Sequence, residues 1–246
     1  MLRVIRRAAI GLALWASLNS AQGSISLNGT RLVFNAREVE ASLVVHNQGE
    51  QEVLVQSWLD AGDVALSAGM FAITPPLVRL PAAGKQQLRV LYQGQGLPDD
   101  RESVFWINVQ EIPQKAASRN VLQFAVRQRI KLFFRPEKLT GSAQEAAASL
   151  LWHLHDGALS VQNPTGFHIS FAALKVQGEG YQGVLEESFM VRPGATLAVA
   201  LKRIPASVPL RLQFEAINDF GGLDGYQARL DHQAPVQAHL KTVTDP

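Results

Sequence analysis

Residues 120–136 read NVLQFAVRQRIKLFFRP. Leu122, Phe124, Val126, Ile130, Leu132 and Phe134 fall on even positions, with Gln128 as the interruption, and Arg127, Arg129, Lys131 and Arg135 fall on odd ones. A period of two marks a strand with one apolar and one basic face. The run is longer than a usual strand of about 5–6 residues. It therefore predicts a strand that crosses a whole sheet or presents part of itself at an edge. An apolar edge is normally blunted, because it templates pairing with other chains; one left open would be there to pair. Alternation alone does not decide whether Leu122, Phe124 and Val126 are core or contact surface. The basic face also has two readings. It is either the solvated side of an edge strand or part of an anion site joined by Arg31, where arginine would hold a carboxylate bidentately.

Working outward, strands are predicted at residues 24–34, 41–46, 53–59, 71–73, 77–80, 87–92 and 103–112, separated by turn residues such as Asn47-Gln48-Gly49 and Thr74-Pro75-Pro76. Short strands with turn signals every 8–12 residues predict an antiparallel sandwich. No alternation of strands with helices and no glycine-rich phosphate loop interrupts them. After Pro136 only residues 139–148 suit a short helix or a linker. Strands then resume at 151–155, 158–162, 168–176, 183–191, 195–201, 208–216 and 227–230, which predicts a second, smaller all-β domain without an obvious internal repeat.

The chain opens with MLRVIRR, then AAIGLALWASL, then NSAQG. A basic start, an apolar run too short for the roughly 20 residues that span a bilayer and a small-residue exit predict a secretory signal peptide over residues 1–23. Cleavage is placed after Gly23, with Ala21 as the other small-residue site and an uncleaved anchor as the alternative. Losing Arg3, Arg6 and Arg7 turns the formal charge of +2 weakly negative. Nucleic acid then loses its electrostatic support as a partner. The sequence contains no cysteine, which removes thiol nucleophiles, thiolate ligands and redox chemistry and suits an envelope compartment without requiring it.

Catalysis finds no support. His153 and His155 share a strand face but have no third ligand nearby, so no metal site is expected. His168 reads as a satisfied surface or packing residue. No serine sits in a nucleophile elbow. Glu186 and Glu187 point to opposite faces. Asp100-Arg101-Glu102-Ser103 and Asn218-Asp219-Phe220-Gly221-Gly222 read, at minimum, as solvated turns. A sugar-binding or structural envelope sandwich is the alternative, but Trp58 and Trp106 lie in strong strands and are expected to be buried.

Several motifs occur together: Thr30-Arg31, Thr74-Pro75-Pro76 with Arg79-Leu80, Asp100-Arg101-Glu102-Ser103, Asn108, Glu111-Ile112-Pro113, residues 120–123, residues 130–136, Asn163-Pro164-Thr165 and residues 217–221. In this order, over nearly all of residues 24–246, the chain resembles the periplasmic pilus-assembly chaperones of chaperone–usher systems. The resemblance implies an all-β protein of two immunoglobulin-like sandwich domains, residues 24–138 and 139–246, in a boomerang arrangement. It implies no enzymatic activity and no cofactor. It implies a periplasmic protein that caps pilus subunits by donor-strand complementation and delivers them to an outer-membrane usher. Self-association of the free protein through the same strand is a further option. It assigns Arg31 and Lys131 to the subunit's C-terminal carboxylate, and Leu122, Phe124 and Val126 to its open groove, with Val121 or Ile130 marginal. Glu102, Arg135 and Asp219 become a charge network between the domains. The family often has tyrosine where this chain has Phe134, so a hydroxyl contact is expected to be missing. The short link at 114–119 resembles that of the short-loop subgroup.

Overall fold

A computed structural model describes residues 24–62, 69–115, 122–205 and 209–241. The signal segment, Asn120, Val121 and most of the link at 114–119 lie outside them. Nine strands precede the short helix: β1 (Ile25–Leu27), β2 (Arg31–Asn35), β3 (Glu40–Asn47), β4 (Val53–Asp60), β5 (Phe71–Thr74), β6 (Leu77–Leu80), β7 (Lys85–Tyr92), β8 (Ser103–Pro113) and β9 (Arg127–Arg135). They form two sheets, ordered β1-β3-β7-β5 and β2-β9-β8-β4-β6. Inward-facing Val45, Val55, Leu88, Val90, Phe105, Ile107 and Leu132 are fully buried between them. Phe34, Phe71, Tyr92 and Phe134 add an aromatic cluster, with the Tyr92 and Phe134 ring centroids 4.5 Å apart. Phe134 is 3% exposed.

The predicted strand at 24–34 is two strands in different sheets. β1 pairs with β3, and after Asn28-Gly29-Thr30 the chain crosses over so that β2 pairs in parallel with β9. The predicted strand at 120–136 is shorter than the alternation suggests. Its ladder covers β9 alone, and residues 122–126 precede it without strand pairing. Gln128, which interrupts the apolar face, donates from its side-chain amide to the Ile25 carbonyl (2.8 Å). The break in alternation therefore spans the gap left where the chain changes sheets.

The helix α1 (Ala143–Ala148) begins at Ser142. The Ser142 hydroxyl accepts from the Glu145 backbone N–H, and the Glu145 carboxylate accepts from the Ser142 N–H. This reciprocal cap satisfies two of the donors that a helix start leaves free. Nine further strands follow: β10 (Leu151–His155), β11 (Ala158–Gln162), β12 (Ile169–Gly178), β13 (Tyr181–Leu185), β14 (Phe189–Val191), β15 (Thr196–Ala198), β16 (Leu210–Ile217), β17 (Leu223–Leu230) and β18 (His239–Leu240). One sheet runs β10-β11-β15; the other runs β13-β12-β16-β17-β18, with β14 also on β12. Trp152, Phe171, Phe214 and Tyr226 centre a core that shares no residue with the first. The chain thus forms two β-rich domains consistent with immunoglobulin-like sandwiches.

The two halves share a device that the sequence does not advertise. Asn47 and Asn163 are both fully buried at the ends of strands. The Asn47 amide reaches the carbonyls of Gln51, Leu80 and Pro81, and the Asn163 amide reaches those of Phe167, Val191 and Arg192. Each side-chain oxygen accepts a backbone N–H two residues on, so each asparagine ties its own turn to a second loop.

Candidate functional site

The joint between the halves is polar and specific. Arg135, the last residue of β9, donates from Nε to Glu102 Oε1 (2.6 Å) and from both terminal nitrogens to the two Asp219 oxygens (2.6 Å each). Glu102 belongs to the first half and Asp219 to the β16–β17 turn of the second. The Glu102 side chain is 1% exposed. Its other oxygen accepts the His168 backbone N–H (2.7 Å) and lies 3.3 Å from His168 Nδ1. Burial pulls the Arg135 guanidinium down; the hydrogen bond to Asp219 and the charge and hydrogen bond of Glu102 outweigh it and hold it above the usual arginine value. A forked guanidinium suits this task because its planar donors match two carboxylates at once. The Glu102 N–H also donates to the Gly166 carbonyl (2.8 Å), which adds a backbone contact across the joint. His168 is therefore a buried joint residue. The pocket here has a volume of about 20 Å³, room for roughly one water.

Arg31 and Lys131 are brought together next to this joint. They are direct register partners at the start of the parallel β2–β9 pair. Arg31 donates from one terminal nitrogen to the Ile217 carbonyl (2.8 Å), so it too reaches across to the second half. Its Nε is buried and has no hydrogen-bond partner among the described residues. Burial lowers the Arg31 guanidinium, with Asp219 and Glu102 partly restoring it. Burial also lowers the Lys131 ammonium, and the neighbouring Arg31 charge adds to the effect. Two half-buried cations side by side repel each other. An arriving carboxylate would relieve that cost.

Phe133 lies at an odd position where the alternation predicts a solvent-facing residue, yet it is 3% exposed. Its ring sits between the Arg31 guanidinium (5.5 Å from the centroid) and the His168 ring (5.9 Å between centroids). It fills the joint, and no one-dimensional pattern distinguishes a joint from a second sheet face. Arg127 and Arg129 are exposed on the outward face of β9. Trp58 and Trp106 are half-buried on the outer face of the same sheet, not buried as expected. Arg129 covers Trp106 at 4.2 Å, so that ring offers no bare platform for a sugar.

β9 is paired on both sides only in part. β8 covers it from Arg127 to Phe134. β2 covers the other side from Lys131 to Arg135 only. Among the described residues, Arg127–Ile130 therefore have no strand on that second side. Just upstream, Leu122 is 78% exposed and Phe124 65% exposed, while Val126 is half-buried and its carbonyl accepts the Glu111 N–H (3.0 Å). Three features converge: an unfinished hydrogen-bond ladder, large apolar side chains in water, and two cations where the free edge meets β2. An extended polypeptide with a free carboxyl end would complement these features, and a strand ending at Lys131 along this edge would run parallel to β9, in line with β2. Among the described residues no group of three or more His, Asp or Glu side chains is placed to hold a metal.

Comparison with known proteins follows the same lines. Residues 24–140 match the family described as "Pili and flagellar-assembly chaperone, PapD N-terminal domain", and residues 145–228 match "Pili assembly chaperone PapD, C-terminal domain". The chain is 37% identical over 236 residues to chaperone protein FimB/FhaD of Bordetella pertussis, covering 91% of this chain and 95% of that one. It is 38% identical over 218 residues to the probable fimbrial chaperone LpfB of Escherichia coli O157:H7, covering 87% and 91%. Among solved structures, the YadV chaperone superposes with a TM-score of 0.73 at 35% identity, covering 85% of this chain and 100% of that one. The SafB chaperone of Salmonella enterica, in complex with the SafA pilin, gives 0.71 at 30% identity, covering 86% and 98%.

Proposed function

Since the chain belongs to the PapD family of pilus-assembly chaperones, we propose that its open β9 edge, its exposed apolar residues and its cation pair are the parts that do the family's work here. The protein is not an enzyme. It is a chaperone that captures pilus subunits by donor-strand complementation and delivers them to an usher. A subunit lacking its last strand has an unpaired edge and an open core, which would aggregate if left alone. Adding a strand from the chaperone completes the ladder and fills the groove. Leu122, Phe124 and Val126 supply the side chains. Arg31 and Lys131 hold the subunit's terminal carboxylate. That anchor sets the register, and register decides which side chains face the groove.

The observation that carries this reading is the free edge of Arg127–Ile130 ending at the Arg31–Lys131 pair. Glu102, Arg135 and Asp219 hold residues 24–138 and 139–246 as two domains at a fixed, boomerang-like angle, so that Arg31 keeps its place in the cleft. The protein works in the periplasm. Without a subunit, the same edge is open to a second copy of the chain. The test is co-purification with a subunit after the double substitution Arg31→Ala, Lys131→Ala. The protein should fold as before and no longer capture subunit. Undiminished complex would refute the anchor.

A further inference from the structure

Phe220 is 95% exposed, the highest value among the large apolar side chains described. It sits at the tip of the β16–β17 turn, and that tip is held rigidly. The Asn218 side-chain oxygen accepts the N–H of Phe220 (3.1 Å) and of Gly222 (2.9 Å), and Gly221 N–H donates to the Asn218 carbonyl (3.0 Å). The residue before Phe220 is Asp219, forked with Arg135. The residue after it is Gly221, at φ +82°, where a Cβ would lie 2.5 Å from Thr30 Oγ1. The carbonyl of Ile217, the last residue of β16, accepts from Arg31. The turn fixed beside Arg31 thus carries a fully hydrated aromatic ring. Leu223, 55% exposed and paired with Ile217, extends the apolar surface. Nothing in the turn's own folding uses either side chain.

We propose that Phe220 is a recognition residue for the end of the captured strand, contacting an apolar side chain at the subunit's C-terminal residue while Arg31 and Lys131 hold its carboxylate. This deepens the strand-capture reading and rests on it. The occupant follows from position. Any chain end anchored on Arg31 lies next to the turn that carries Phe220. An aromatic ring on a backbone already fixed by its turn offers contact area with only its own side-chain rotation left to lose. The carboxylate clamp alone does not distinguish one chain end from another; an apolar contact beside it does.

The probe is a synthetic peptide of about a dozen residues with alternating apolar side chains, a free carboxyl end, and either Phe or Gly as its last residue. Each is titrated calorimetrically into the full mature protein and into Phe220→Ser, whose folding is verified by thermal melting. The Phe-ended peptide should bind Phe220→Ser about tenfold more weakly than it binds the unsubstituted protein. The Gly-ended peptide should not distinguish the two. Equal binding of the Phe-ended peptide by both proteins overturns the proposal. So does an equal loss for both peptides, which would mean a disturbed cleft, and so does an unsubstituted protein that binds both peptides equally or neither. If Phe220→Ser abolishes self-association in sedimentation and leaves peptide binding intact, the residue serves a second copy of the chain and the proposal falls. The Phe-ended peptide with an amidated carboxyl end separates the two ideas. If it binds as well as the free acid, the carboxylate anchor fails whatever Phe220 does.

Discussion

Replacing both Leu122 and Phe124 by serine separates capture from folding. Fully burying a side chain of this kind contributes about 1.5–3 kcal/mol. Leu122 is 78% exposed and Phe124 65% exposed in the free protein, so most of that burial is still available to a guest. The unspent share comes to about 1–2 kcal/mol for each residue, or about 2–4 kcal/mol together. Capture should weaken by roughly 30- to 1000-fold. The share already spent in the folded chaperone is the smaller part, about 1 kcal/mol for the pair, and no ladder bond is lost because neither residue is in a strand. The assay has two arms: a titration against a strand peptide or subunit, and urea unfolding of the free protein. The expected pattern is a large loss in the first and a small shift in the second. A loss of stability of about 3 kcal/mol or more, the size of a true core truncation, with capture unchanged, would place both residues in the core and refute the argument.

Two other perturbations test the cleft and the joint. The Lys131 ammonium is held below its usual value of 10.5 by burial and then by Arg31; a lysine with a lowered folded pKa costs stability wherever it is protonated, and that cost is recovered as pH rises from the folded value to the unfolded one. Lys131→Met should therefore leave the free chaperone at least as stable at neutral pH by thermal melting while capture falls more than tenfold, and capture by the unsubstituted protein should decline on the alkaline side before an ordinary lysine would titrate; a destabilised Lys131→Met protein that still captures would contradict both statements. Arg135→Ala leaves Glu102, 1% exposed, without its guanidinium and should cost on the order of 3–5 kcal/mol. Its urea curve should split into separate transitions for the two halves, with Arg135→Lys recovering little because one ammonium cannot fork; a single unshifted transition would show that the joint does not couple them.

An open edge must avoid unwanted pairing as well as permit the wanted kind. Arg127 and Arg129 are exposed on the unfinished strand, where they oppose stacking of like copies. On the proposed reading, the cation pair at its end would favour a guest with a free carboxylate, which would relieve their repulsion as it pairs, over a polypeptide passing through without a chain end.

Periodicity and punctuation already determined that this chain is all-β, in two β-rich parts with a short helical or linking segment between them, because side-chain alternation and turn chemistry are local properties of the chain. Composition excluded thiol chemistry for the same reason: no arrangement supplies a missing atom. The sequence could not say whether an alternating apolar face is covered. Leu132 and Phe124 obey the same alternation, yet one is wholly buried and the other mostly exposed, because Leu132 lies in β9, whose inner face packs into the core between the two sheets, and Phe124 precedes that ladder. The joint was equally hidden. Phe133 and His168 are ordinary residues in their own segments, and become its filling only when residues far apart in the chain are brought against Glu102 and Arg31. Burial and charge pairing depend on which surfaces meet. The tertiary structure alone decides that.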